Sequence, residues 1–160
     1  MPSQPLENIV GELLRRRGLR LAVAESCTGG LVSHLITNVP GSSTYYMGGV
    51  TAYAYEAKVR LLGVSWRTLE KYGAVSEETV IEMASGVRKA LAADIGISIS
   101  GIAGPGGGTP EKPVGLTWVG LSTEGGEEAY RYVWEGNRLA VKEKSARQAL
   151  HLLKDYLESL

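Results

Sequence analysis

Leu19-Arg20-Leu21-Ala22-Val23-Ala24-Glu25-Ser26-Cys27-Thr28-Gly29-Gly30-Leu31-Val32-Ser33-His34-Leu35-Ile36 reads as a strand, a turn and a helix in one line. Leu19 to Ala24 alternates or runs apolar, the pattern of a buried strand. The small, polar turn Ser26-Cys27-Thr28-Gly29-Gly30 stops it, and Leu31, Val32, Leu35 and Ile36 then recur at helical spacing. Strands alternating with helices build an α/β sheet, and such sheets bind ligands beyond the carboxyl ends of their strands. The turn from Glu25 to Gly30 is therefore the first place to look for function.

The alternation continues on both sides. Leu6, Ile9, Val10, Leu13 and Leu14 keep helical spacing, with Pro5 suited to a first turn and Gly18 to a stop. Pro40-Gly41 breaks the second helix, and residues 42–55, rich in β-branched and Tyr residues, predict a second strand. Two short helices are expected over 56–62 and 66–71, stopped by Gly63 and Gly73. Ser76 is a suitable N-cap for a longer helix, with Glu77 and Glu78 where the helix dipole favours them. Its apolar face is Val80, Met83, Ala84, Val87 and Leu91. Residues 95–100 predict a strand leading into the loop GIAGPGGGTP (101–110), and residues 114–122 and 127–134 a hairpin around Gly125-Gly126. Asn137 can cap a closing helix with core positions Leu139, Ala146, Ala149, Leu150, Leu153 and Leu157. The expectation is one α/β domain over residues 1–160, with a mixed sheet that is covered by helices and includes an antiparallel hairpin.

Composition narrows the function classes. In 160 residues, 44% hydrophobic and 21% charged, there is enough apolar material for one sizeable core. Seventeen basic and seventeen acidic side chains cancel, so no global field recruits nucleic acid or an anionic membrane. Arg15-Arg16-Arg17 and Arg20 form a local basic run, read as a cationic helix end in preference to a nucleic-acid patch. A single cysteine makes no internal disulfide, and no Cys/His spacing suits a metal, so neither metal nor redox cofactor is expected. The start Met-Pro-Ser-Gln-Pro lacks the apolar core of a signal peptide, and no apolar run approaches the ~18 residues of a membrane span. A cytoplasmic protein is the expectation.

Two loops could carry chemistry. SCTGG (26–30) and GIAGPGGGTP (101–110) both allow close backbone approach, and their N–H groups suit a phosphate or an oxyanion. The second lacks the Gly-Lys-Ser/Thr ending of a P-loop and the third glycine of a dinucleotide fingerprint, so simple loop flexibility is its other reading. Ser26 lies where a nucleophile elbow would lie, though without G-x-S-x-G, and a helix-capping serine is the commoner use of that position. His34 and His151 fall within helices, as do Asp94 and Asp155, which leaves no Ser-His-Asp triad. A lysine or tyrosine would have to accept the proton, and Tyr53 and Lys58, in VTAYAYEAKVRLLG (50–63), are the candidates. On spacing alone Lys58 is equally a solvated helix lysine. Cys27 near the same helix is a rival nucleophile or, more commonly, a small buried hydrophobe.

Taken together, AESCTGGLVSHLITNVPGSS, GGVTAYAYEAKVRLLGV, YGAVSEETV, SISGIAGPGGGTPEKPVGLTWVG and the late GNR resemble the C-terminal domain of the competence/damage-inducible protein CinA. The resemblance runs from about Glu7 to Leu157. It implies a three-layer α/β/α sandwich that self-associates and hydrolyses the carboxamide of nicotinamide mononucleotide to nicotinate mononucleotide and ammonia. It implies Ser26 as nucleophile with Lys58 and Tyr53 as proton carriers. Thr28, Gly29 and Gly30 would contact substrate through the turn's N–H groups. Gly104, Gly106, Gly107, Thr109 and Arg138 would hold the nucleotide. The pyrophosphatase-like domain that precedes this one in CinA is not part of the sequence. Three places depart from the family's usual pattern. Ala54 and Tyr55 stand where serine and asparagine are common, Asn137 stands in place of aspartate, and Lys142 in place of arginine. A catalytically silent nucleotide-binding module acting through partners is the alternative these departures raise.

Overall fold

The computed structural model describes residues 3–160. Helix α1 (Leu6–Arg17) leads to strand β1 (Leu21–Glu25), and helix α2 (Leu31–Thr37) to strand β2 (Tyr46–Thr51). Helices α3 (Tyr55–Leu62), α4 (Trp66–Tyr72) and α5 (Glu77–Ala90) follow. Strands β3 (Ile95–Gly101), β4 (Leu116–Thr123) and β5 (Gly126–Val133) and the long helix α6 (Arg138–Ser159) complete the chain. The sheet order is β2-β1-β3-β4-β5, with β1 parallel to both its neighbours and β3-β4-β5 antiparallel.

The two faces of the sheet are built differently. Strand β3 reads Ile-Gly-Ile-Ser-Ile-Ser, so its period of two sends Ile95, Ile97 and Ile99 to one side and Gly96, Ser98 and Ser100 to the other. The isoleucines join Leu21, Val23, Val119 and Leu121 beneath α1, α2 and α6, where Leu14, Ile36, Leu150 and Leu153 are buried. Each such side chain contributes roughly 1.5–3 kcal/mol by leaving water. The small side lets helix backbone come close. Ser98 Oγ donates to the Val80 carbonyl at 2.5 Å, and a Cβ on Gly120 would sit 2.3 Å from that same oxygen. Helix α5 therefore lies against the sheet by its backbone, and α3 lies in turn on α5. A Cβ on Gly86 would fall 1.8 Å from the Leu62 carbonyl oxygen. We expect Gly86→Ala to lower stability by about 1–3 kcal/mol through overpacking, read from denaturant unfolding.

Most expected elements form. Ser76 and Asn137 cap α5 and α6, accepting from the Thr79 and Ala140 amides. Three expectations are corrected. The second strand covers only Tyr46–Thr51, because Gly41, at φ 80°, starts a short 3-10 turn over Ser42–Thr44 instead. Asp94 lies in the turn after α5, where its carboxylate accepts from the Arg20 amide at 2.8 Å. Leu139 is 73% exposed, since in the first turn of α6 it lines an open cleft toward Gly30 and Leu31; the other five expected core positions of α6 are buried. No helix among the described residues is long and apolar enough to cross a membrane.

Candidate active site

Strand order brings the pieces of the site together. Because β2, β1 and β3 are adjacent and parallel, the segments leaving their carboxyl ends emerge side by side. The ladders run one residue past the strands, with Ser26 N–H donating to Ile99 O at 2.9 Å and Ala52 N–H to Glu25 O at 2.8 Å. The turn after β1, the glycine loop after β3 and the start of α3 are thus fixed against one another.

Ser26 and Lys58, 32 residues apart, meet there. Lys58 Nζ donates to Ser26 Oγ at 3.0 Å, to the Ala52 carbonyl at 2.8 Å and to the Tyr53 carbonyl at 3.3 Å. The lysine is 1% exposed and has no carboxylate among these partners. Burial lowers its pKa to about 8, partly offset by Cys27. Ser26 is 8% exposed and opens with Lys58 onto a cavity of about 270 Å³, bounded by Gly101, Gly106, Gly107 and Arg138. A hydroxyl held by a partly neutral amine is the arrangement of an activated nucleophile and its base.

Ser26 does not cap α2. That helix starts only at Leu31, after Gly30 at φ 101°, and Glu25 does the capping. The Glu25 carboxylate, 1% exposed, accepts from the Val32 amide at 2.9 Å, the Ser33 amide at 3.1 Å and the Thr28 hydroxyl at 2.6 Å. It anchors both ends of the turn that carries Ser26. Sequence reasoning missed this role; the signal was a lone carboxylate closing an otherwise apolar strand.

The remaining expected residues divide. Thr28 spends its hydroxyl on Glu25, and Gly29 N–H donates to Ser26 O at 3.0 Å. Thr28, Gly29 and Gly30 line a separate cleft, beside Lys142 and α6, and not the Ser26 cavity. Gly104, Gly106 and Gly107 do line the Ser26 cavity, whereas Thr109 closes its own turn with Lys112 at both N–H and Oγ1. Arg138 lines the cavity and donates to Gly104 O at 2.7 Å and to Tyr53 OH at 3.0 Å. The Tyr53 phenol is thus brought to Arg138, while only the Tyr53 carbonyl reaches Lys58. Tyr55 leans toward Trp66 outside the cavity, and Ala54 leaves α3 without a side-chain cap.

Cys27 is buried, and burial pushes its thiol up to about 12. Such a thiol is a packing group. Alkylation by iodoacetamide at pH 7.5, followed by mass spectrometry, should be at least about 10²-fold slower in the native protein than in denaturant.

A family model described as the CinA C-terminal domain matches residues 3–157. A CinA-like protein of Kosmotoga olearia is 52% identical over 152 residues, covering 95% of this chain and 37% of the relative. A CinA-like protein of Thermotoga maritima is 50% identical over 156 residues, covering 98% and 38%. The chain thus spans a little over a third of the length of the curated relatives it matches. Among solved structures, the competence damage-inducible protein A (ComA) of Klebsiella pneumoniae superposes with a TM-score of 0.92 at 38% identity, covering 96% of this chain and 95% of that one.

Proposed function

The chain belongs to the CinA C-terminal domain family, and from that membership together with the site we propose that it hydrolyses the carboxamide of nicotinamide mononucleotide to nicotinate mononucleotide and ammonia. The observation that carries this reading is the buried 3.0 Å bond between Lys58 Nζ and Ser26 Oγ. Neutral Lys58 takes the hydroxyl proton as Ser26 Oγ attacks the carboxamide carbon. The backbone amide of Cys27, the residue after the nucleophile and part of the cavity wall, holds the developing oxyanion. Lys58 returns the proton to the leaving nitrogen, ammonia departs and Ser26 is left acylated. Water, deprotonated by the same lysine, then adds to the acyl carbon; the acid leaves and the proton returns to Ser26.

The glycines and the arginine that line the site support a substrate with an anionic tail. The reacting end would enter beside Gly101, and the glycine loop and Arg138 would meet phosphate and ribose at the mouth. Gly104, Gly106 and Gly107 permit close approach of backbone to the nucleotide. The test is incubation with nicotinamide mononucleotide, with ammonia and nicotinate mononucleotide both measured. Equal amounts of the two products are expected. Stabilisation by the nucleotide with neither product formed would replace this reading with a silent binding module.

A further inference from the structure

Resting on that reading of the site, we infer that Tyr53 works through Arg138, as the pin that aims its guanidinium at the substrate's anionic group, and carries no proton to or from Ser26. Tyr53 lies two residues beyond the end of β2, and its two polar ends do different things. Its carbonyl accepts from Lys58 Nζ at 3.3 Å, while its phenol, on a side chain 60% exposed, accepts from Arg138 Nη2 at 3.0 Å. The other end of the guanidinium is tied at Nη1 to the Gly104 carbonyl at 2.7 Å. Two acceptors, one from the β2–α3 connection and one from the glycine loop, fix the plane of the fork. An arginine carries five N–H donors, so the rest stay free for a ligand. Lys58 Nζ already bonds Ser26 Oγ directly, so proton transfer between base and nucleophile needs no phenol in between. A guanidinium held in place before binding saves the ordering cost a free arginine would incur.

The experiment compares the parent, Tyr53→Phe, Arg138→Met and the double variant, on nicotinamide mononucleotide and on its phosphate-free riboside. A positioning role predicts that Tyr53→Phe raises KM for the nucleotide about fivefold and changes kcat less than about twofold, the size expected for one ordinary hydrogen bond at a solvent-exposed position. The ratio of riboside KM to nucleotide KM should shrink by the same factor. In the Arg138→Met background, Tyr53→Phe should add almost nothing. A proton-carrying role predicts instead a fall in kcat of tenfold or more on both substrates, independent of Arg138, and that result overturns the inference. Calorimetric binding of nicotinate mononucleotide separates the two levels. If no variant or parent turns over but Tyr53→Phe and Arg138→Met weaken binding non-additively, the amidase reading fails and the inference stands. If binding is equal in parent and Tyr53→Phe, the inference fails.

Discussion

Ser26→Ala should lower ammonia release from nicotinamide mononucleotide by at least about 10³-fold, because in the proposed mechanism it removes the atom that bonds to the substrate. The loss should fall on kcat, with binding of nicotinate mononucleotide retained. Arg138 and the glycine loop, which would hold the rest of the nucleotide, stay as they are. The fold should survive as well. Lys58 Nζ keeps the Ala52 and Tyr53 carbonyls when the serine oxygen goes, and Ser26 N–H still donates to Ile99 O. One hydrogen bond is lost, so stability should change by about 1 kcal/mol or less. Single-turnover assay of ammonia, with circular dichroism melts as the control, reads both parts. Turnover by Ser26→Ala within about tenfold of the parent would remove serine catalysis from the proposal.

The fold was legible in the sequence because its pattern is local. The strand at Leu21–Glu25, the apolar face of α5 and the Gly125-Gly126 hairpin each show in a window of a dozen residues. The correspondence of Ser26 with Lys58 was harder. Nothing in the spacing of 32 residues says they touch, and only the order β2-β1-β3 makes them neighbours. Elimination of the histidines and aspartates pointed to Lys58 as a candidate, and the family resemblance singled it out. The roles of the turn residues were least legible. Thr28 and Glu25 both look like site residues when read as letters, yet they bond each other, and the buried carboxylate is an N-cap supplied from outside its helix. Tyr53 shows the same limit. Its backbone and its phenol face different partners, which a one-letter string cannot express.

The strongest test of the base is pH. Burial brings Lys58 to about 8 from an ordinary 10.5, so its neutral form dominates above about pH 8 and dwindles tenfold per unit below it. If neutral Lys58 is the base, kcat/KM should rise with slope one up to about pH 8 and then level. A positioning lysine that stays charged would give the opposite limb, with activity falling above pH 8. Lys58→Met should reduce kcat by about 10³-fold and abolish that rise, and Lys58→Arg should fare no better, because a guanidinium does not give up its proton. Stability provides an independent reading of the same group. Between about 8 and 10.5 the unfolded chain holds a proton on this lysine that the folded chain has released, so stability climbs with pH across that window. Below it the buried ammonium is a constant cost. Urea unfolding of the parent should therefore show a gain from pH 8 to pH 10 that is missing in Lys58→Met. A kinetic limb near 8 without the matching stability gain would mean that another group titrates, and Lys58 would lose its assignment as the base.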